Sequence, residues 1–187
     1  MTEIEHPKSS VVRFLPLAVF AAMALLFALL LTDDDRNPKQ IKSALIGKTV
    51  PDISLPPLAD NNPPLTSDDL KIGKPVILNF FASWCVPCRA EHESLMELAA
   101  NEGVTVYGIA HKDKPEASRK FLAELGNPYA KIGVDRDGFK ASIDFGISGV
   151  PETFIIDGNG KILYRHWGPI VDGHLENIIL PKLREAK

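Results

Sequence analysis

The sequence predicts an α/β domain of three layers around a central mixed sheet, preceded by one N-terminal transmembrane helix. Three observations predict it. From Pro75 onward, apolar runs of strand length alternate with helical patterns, first strand–helix–strand and then helix–hairpin–helix. The only two cysteines, Cys85 and Cys88, stand at a strand-to-helix corner. Residues 14–31 carry no charged side chain.

The uncharged run comes first. It is 18 residues long, close to the ~20 that span a bilayer. Lys8 and Arg13 precede it, and Asp33, Asp34 and Asp35 follow. Positive residues stay on the cytoplasmic side, so residues 1–13 read as cytoplasmic and everything after Thr32 as exported. A cleaved signal peptide would have an apolar core of about 7–15 residues and a small-residue cleavage site. Leu29-Leu30-Leu31-Thr32 offers no such site, which favours an uncleaved signal anchor. A buried core helix fits poorly, because the segment is apolar all round and terminal. Residues 32–46 mix acids, bases, Asn and Pro and read as a tether. Residues 47–187, about 140 in all, have the size of one domain.

Within that domain, the proline-rich run from Pro51 to Pro64 predicts short strands or an extended hairpin. Residues 76–81 read as a buried strand. Residues 87–100 read as a helix, with Pro87 tolerable in its first turn. A strand over 104–110 follows, then a helix over 115–125 with proline at its front and Gly126 at its back. Residues 131–134 suggest a short strand and 139–145 a helix. Residues 153–156 and 161–167 form a hairpin about Asp157-Gly158-Asn159-Gly160. Residues 173–185 read as a terminal helix.

The cysteines carry the chemistry. A sulfur at a helix N-terminus feels the helix dipole and unpaired N–H groups, which favour thiolate. The i, i+3 spacing places both sulfurs on one helix face, near enough for a disulfide. A purely structural bridge gains little from so short a loop. A zinc or copper site is the stronger rival: Cys85, Cys88 and His92 supply three ligands, and a fourth would come from His111, His166, His174 or a carboxylate. Haem attachment needs His directly after the second cysteine, and Arg89 stands there. A net charge of −3 and a pI near 6.0 argue against a nucleic-acid partner. Glu91, Glu93 and Glu97 read as a solvated helix face, and His92 as a partly exposed helix residue with no assigned role.

Four segments in order resemble a known family: Phe81-Ala82-Ser83-Trp84-Cys85, Cys88-Arg89-Ala90-Glu91-His92, Gly126-Asn127-Pro128-Tyr129, and Gly149-Val150-Pro151-Glu152-Thr153-Phe154-Ile155-Ile156-Asp157. With the N-terminal apolar run, they resemble the membrane-anchored periplasmic thiol–disulfide proteins of cytochrome c maturation, the CcmG/DsbE type of the thioredoxin superfamily. Residues 113–134 resemble the insertion that separates this group from plain thioredoxins.

The resemblance implies a thioredoxin-like domain and a thiol–disulfide oxidoreductase with no cofactor and no metal. Cys85 would be the attacking thiolate and Cys88 the resolving thiol. Pro87 sits between them, and Trp84 would offer apolar contact surface while packing in part. Pro151 would be a cis-proline beside the sulfurs, and Val150 would pair with an extended substrate. Glu152 would lie near the cysteines and make the site acidic. Typical thioredoxins carry a buried Asp six residues before the first Cys, where Asn79 stands here, so another group, water, Glu152 or Glu91 must handle the proton of Cys88. The implied role is reduction of apocytochrome c, or of its accessory thiol protein, at the bacterial inner membrane. The implied electron donor is a membrane reductant of the DsbD type. A metal chaperone and a general dithiol oxidant are the alternatives.

Overall fold

The computed structural model describes residues 10–31, 44–100 and 103–186, with side chains in the first stretch limited to 14–27. The chain divides into two units, Met1–Gln40 and Ile41–Lys187. In the first, helix α1 runs over Ser10–Leu31 and contains Pro16. The large apolar side chains described on it, Phe14 to Phe27, are all exposed. Among the described residues no helix is long and apolar enough to cross a membrane. The stretch expected as cytoplasmic lies mostly outside the described residues, as does most of the expected tether.

The second unit takes up the chain from Leu45, whose side chain packs against the core. Gly47 N–H donates to Ile162 O and Val50 N–H to Gly160 O, which ties the incoming chain to the hairpin turn. Two-residue strands β1 (Ser54–Leu55), inside the proline-rich run, and β2 (Leu65–Thr66), directly after it, pair antiparallel. The main sheet contains β3 (Val76–Phe81), β4 (Thr105–His111), β5 (Lys131–Asp135), β6 (Glu152–Ile156) and β7 (Ile162–Trp167). Its spatial order is β5-β4-β3-β6-β7. Strand β3 is parallel to β4 and antiparallel to β6, so the sheet is mixed, as expected.

Side-chain alternation along β3 sends Ile77 and Phe81 to one face and Val76, Leu78 and Phe80 to the other. Helices α2 (Val86–Ala100) and α3 (Pro115–Leu125) and the C-terminal helix bury the first face. The N-terminal segment and the short helix α4 (Ala141–Asp144) cover the second. There Phe80, Phe145 and Phe154 meet edge to face at 5.3–5.8 Å. This is the thioredoxin-like α/β arrangement that the resemblance implied.

Two elements differ from expectation. The helix expected over 139–145 shrinks to α4. The terminal helix begins as a π turn over Leu175–Ile179 before α5 (Leu180–Glu185). Pro181 has no N–H to give to Asn177, and Leu180 N–H bonds Leu175 O instead. The proline-rich run lies along the outer edge of β5. Leu58 N–H donates to Ile132 O, and Val134 N–H donates to Pro56 O.

Candidate active site

Strand β3 is apolar and buried throughout except for its one amide, Asn79, and it delivers the chain to the cysteines at its C-terminal end. Cys85 N–H closes a turn onto Ala82 O at 3.2 Å, and α2 begins at Val86 with Pro87 in its first turn. Cys85 and Cys88 form a disulfide with Cα atoms 5.3 Å apart. Both are buried, 4% and 2% exposed. Cys88 N–H points at Cys85 Sγ at 3.1 Å. That amide is one of the unpaired donors of the helix start, so charge on Cys85 would meet both a donor and the dipole.

The loop before β6 emerges beside this corner. Phe80 is in register with Glu152, so the C-terminal end of β3 and the N-terminal end of β6 are neighbours. The Val150–Pro151 peptide is cis. Pro151 is buried and Val150 half-buried. Trp84 is 58% exposed, more than partial core packing predicts, with Nε1 donating to Lys112 O at 3.1 Å. Val86 and Trp167 add exposed apolar surface.

Beneath the cysteines lies a closed polar network. Asn79 Nδ2 donates to Glu91 Oε1 at 2.8 Å and to Thr153 Oγ1 at 3.0 Å. Tyr129 O–H donates to Asn79 Oδ1 at 2.8 Å, and Ile170 N–H donates to Glu91 Oε2 at 3.0 Å. The Tyr129 ring stacks on Phe81 at 4.8 Å and lies over Gly108, where a Cβ would come within 2.9 Å of it. Glu91 is therefore not on a solvated face: it is fully buried, while Glu93 and Glu97 are exposed as expected. Burial, only partly offset by the bonds from Ile170 and Asn79, pushes its carboxyl up to about 7. Tyr129 is pushed further above its ordinary range by burial, then by Glu91.

Glu152 is placed differently from its expected position. Paired with Phe80, it points to the sheet face opposite Asn79 and Thr153. It is fully buried, and Arg165 Nε donates to its Oε2 at 2.6 Å. Its Oε1 accepts from Ser148 N–H and Oγ–H, both at 2.7 Å, and from Gly149 N–H at 3.2 Å. Glu152 thus anchors the loop that carries Val150 and Pro151, and is not a free acid facing the sulfurs.

Nor does His92 sit half-exposed beside the sulfurs. It is buried, its Nε2 lies 3.0 Å from Gly126 O, and its ring meets Phe121 edge to face. Burial lowers its pKa. Among the described residues no three of His, Cys, Asp and Glu gather to hold a metal ion. Arg89 is also turned from the cysteines, toward α3, with Nη2 3.4 Å from Glu124 and its guanidinium 5.2 Å over Phe121.

A buried cysteine pair at a helix start, on the end of a central strand and beside a proline loop, defines a thiol–disulfide oxidoreductase. The chain belongs to the Redoxin family, whose model matches residues 45–179. It is 42% identical over 172 residues to the thiol:disulfide interchange protein HelX of Rhodobacter capsulatus, covering 91% of this chain and 94% of HelX. It is 45% identical over 161 residues to the thiol:disulfide interchange protein DsbE of Escherichia coli K12, covering 85% and 86%. A crystal structure described as a DsbE-type protein from Chlorobium tepidum superposes with a TM-score of 0.63 at 30% identity, over 74% of this chain and 97% of that one. Glu91 and Tyr129 are the site residues that sequence reasoning left without a settled place. Only the lone amide in an apolar strand, Asn79, signalled that a buried polar partner was needed.

Proposed function

We propose that the protein is a membrane-anchored periplasmic reductant acting in cytochrome c maturation, with the uncharged run 14–31 as a single-pass anchor and the N-terminus cytoplasmic. The observation that carries the reading is the Cys88 N–H held 3.1 Å from Cys85 Sγ at the start of α2. Such a donor stabilises charge on the first sulfur and makes it the nucleophile. In the forward step, the Cys85 thiolate attacks a sulfur of the substrate disulfide. That bond breaks, a mixed disulfide forms, and the first substrate thiolate leaves. The Cys88 thiolate then attacks Cys85 Sγ, releasing the second substrate thiol. The substrate gains two electrons, and the Cys85–Cys88 disulfide re-forms. Glu91, one turn beyond Cys88 and neutral or charged near pH 7, takes up the Cys88 proton. Val150 and Pro151 face the extended chain of the substrate. The substrate is apocytochrome c or its accessory thiol protein, and a DsbD-type membrane reductant restores the dithiol. The uncharged run 14–31 and the lysine, arginine and aspartate asymmetry about it support the anchor and its direction.

Thiol trapping in intact cells tests the direction. Cys85 and Cys88 are expected as free thiols, with a potential nearer thioredoxin's about −270 mV than the oxidant DsbA's about −120 mV. A predominantly disulfide-bonded pair, in cells with a working membrane reductant, would overturn the reductant in favour of an oxidant. A reporter enzyme that works only after export, fused after Lys187, tests the topology. Activity from a cytoplasmic reporter alone contradicts it.

A further inference from the structure

We propose that the corner between β4 and α3, formed by Lys112 and Asp113, is a positioning device for the redox loop, with Asp113 as a positioning residue for Cys85. This rests on the reading of Cys85–Cys88 as the redox pair. Asp113 is 5% exposed, and its carboxylate is fully engaged. Oδ2 accepts from Ser83 N–H at 2.7 Å and from Ser118 Oγ–H at 2.6 Å. Oδ1 accepts from Ser83 Oγ–H and Lys114 N–H, both at 2.9 Å. Two of these four donors belong to Ser83, inside the turn that Cys85 N–H closes onto Ala82 O.

The residue before it adds a second hold. Lys112 has φ 47°, the left-handed region that a residue with a Cβ seldom adopts. In that conformation its carbonyl receives Trp84 Nε1–H at 3.1 Å. Its own N–H is fixed by Asp135 O at 3.0 Å. Ser83 and Trp84, the two residues before Cys85, are therefore both held from one corner. The far side of the pair is held from the same segment, through Arg89 with Glu124 and His92 with Gly126 O. Lys112 and the insertion-like segment that follows it thus hold the chain before and after the cysteines.

Charge gives the corner a direction of action. A fixed carboxylate bonded two residues before Cys85 opposes a thiolate there, while the α2 start favours one. A less stabilised thiolate means a less stabilised dithiol, hence a stronger reductant. Asp113→Asn keeps the size and one acceptor but removes the charge.

The test uses the full chain in detergent micelles. Asp113→Asn and Ser83→Ala are compared with the wild type in the equilibrium with glutathione, the pH titration of Cys85 thiolate absorbance, and thermal melting of both redox forms. Asp113→Asn is expected to lower the Cys85 titration midpoint and shift the glutathione equilibrium toward the dithiol by roughly tenfold, the scale of one hydrogen bond to a charged group. Ser83→Ala leaves the carboxylate in place with one donor fewer, so it shifts the equilibrium the other way, toward the disulfide, and by less, and this shift vanishes in the Asp113→Asn background. Equal destabilisation of oxidised and reduced forms, with the equilibrium unmoved, would show that Asp113 only anchors α3 and would overturn the proposal. Should Asp113→Asn not fold, an unshifted Ser83→Ala overturns it alone. Failure of the wild type itself to equilibrate with glutathione would sink the redox reading as well.

Discussion

The side-chain amide of Asn79 donates to Glu91 Oε1 at 2.8 Å, and this bond relocates the buried acid of the site from strand β3 to helix α2. The strand keeps a neutral group, which orients the carboxylate and cannot itself titrate. Tyr129 and Thr153 complete the setting of that amide, so its orientation is determined by three partners.

Glu91 should make stability fall with pH. Its carboxyl titrates at about 7 when folded against 4.5 ordinarily. Between those values the folded chain holds a proton that the unfolded chain has lost, so stability declines across the window, on the order of 3 kcal/mol in total, and levels off above it. Glu91→Gln should abolish this decline. Urea unfolding of the oxidised protein from pH 4 to 8 checks it, and a wild type–variant difference that stays constant throughout contradicts it.

The same substitution should separate the two thiols. With no titratable group one turn beyond Cys88, the resolving step should slow by on the order of tenfold to a hundredfold near neutral pH. Alkylation of Cys85 should change little. Stopped-flow quenching of a mixed disulfide measures the first, and iodoacetamide kinetics the second.

Cys85 should titrate below the free-thiol value of about 8.5, and Cys88 above Cys85, because only Cys85 Sγ receives a helix N–H. Cys88→Ser should accumulate a mixed disulfide through Cys85, whereas Cys85→Ser should form none. Equal alkylation of the two thiols at pH 6–7 would refute the assignment.

Removing one partner of the Glu152–Arg165 pair should cost about 3–5 kcal/mol, because both side chains are buried and the survivor keeps an uncompensated charge. Arg165→Met should therefore lower the melting temperature markedly. The double variant Glu152→Gln/Arg165→Met should recover part of the loss. Melting curves of the wild type and the two variants decide this.

The elements were readable from residue pattern alone where burial is one-sided or complete. The apolar run 76–81, the proline and glycine bounding 115–125, and the turn 157–160 each have a local cause. The site's polar partners do not. Asn79 meets Glu91 across 12 positions, Thr153 across 74 and Tyr129 across 50, and such pairs leave no period in the sequence. Glu91 shares its helix with the exposed Glu93 and Glu97, and only the amide across from it shows which acid turns inward. Glu152 was open to a better reading. Strand side chains alternate, so a residue adjacent to Thr153 had to face away from it.

Pro56 and Pro57 lie on the rim of the sheet, where Pro56 O takes the Val134 N–H and the Pro57 position bridges Gly133. Neither proline has an amide hydrogen to offer outward, so the hydrogen-bonding row of β5 ends there. An open sheet rim is a template for strand addition and fibrous self-association. A thiol–disulfide oxidoreductase trades electrons with other thiol-bearing chains and meets that hazard at every encounter. On the β5 side the proline-rich run blunts it, leaving such chains no ladder to join.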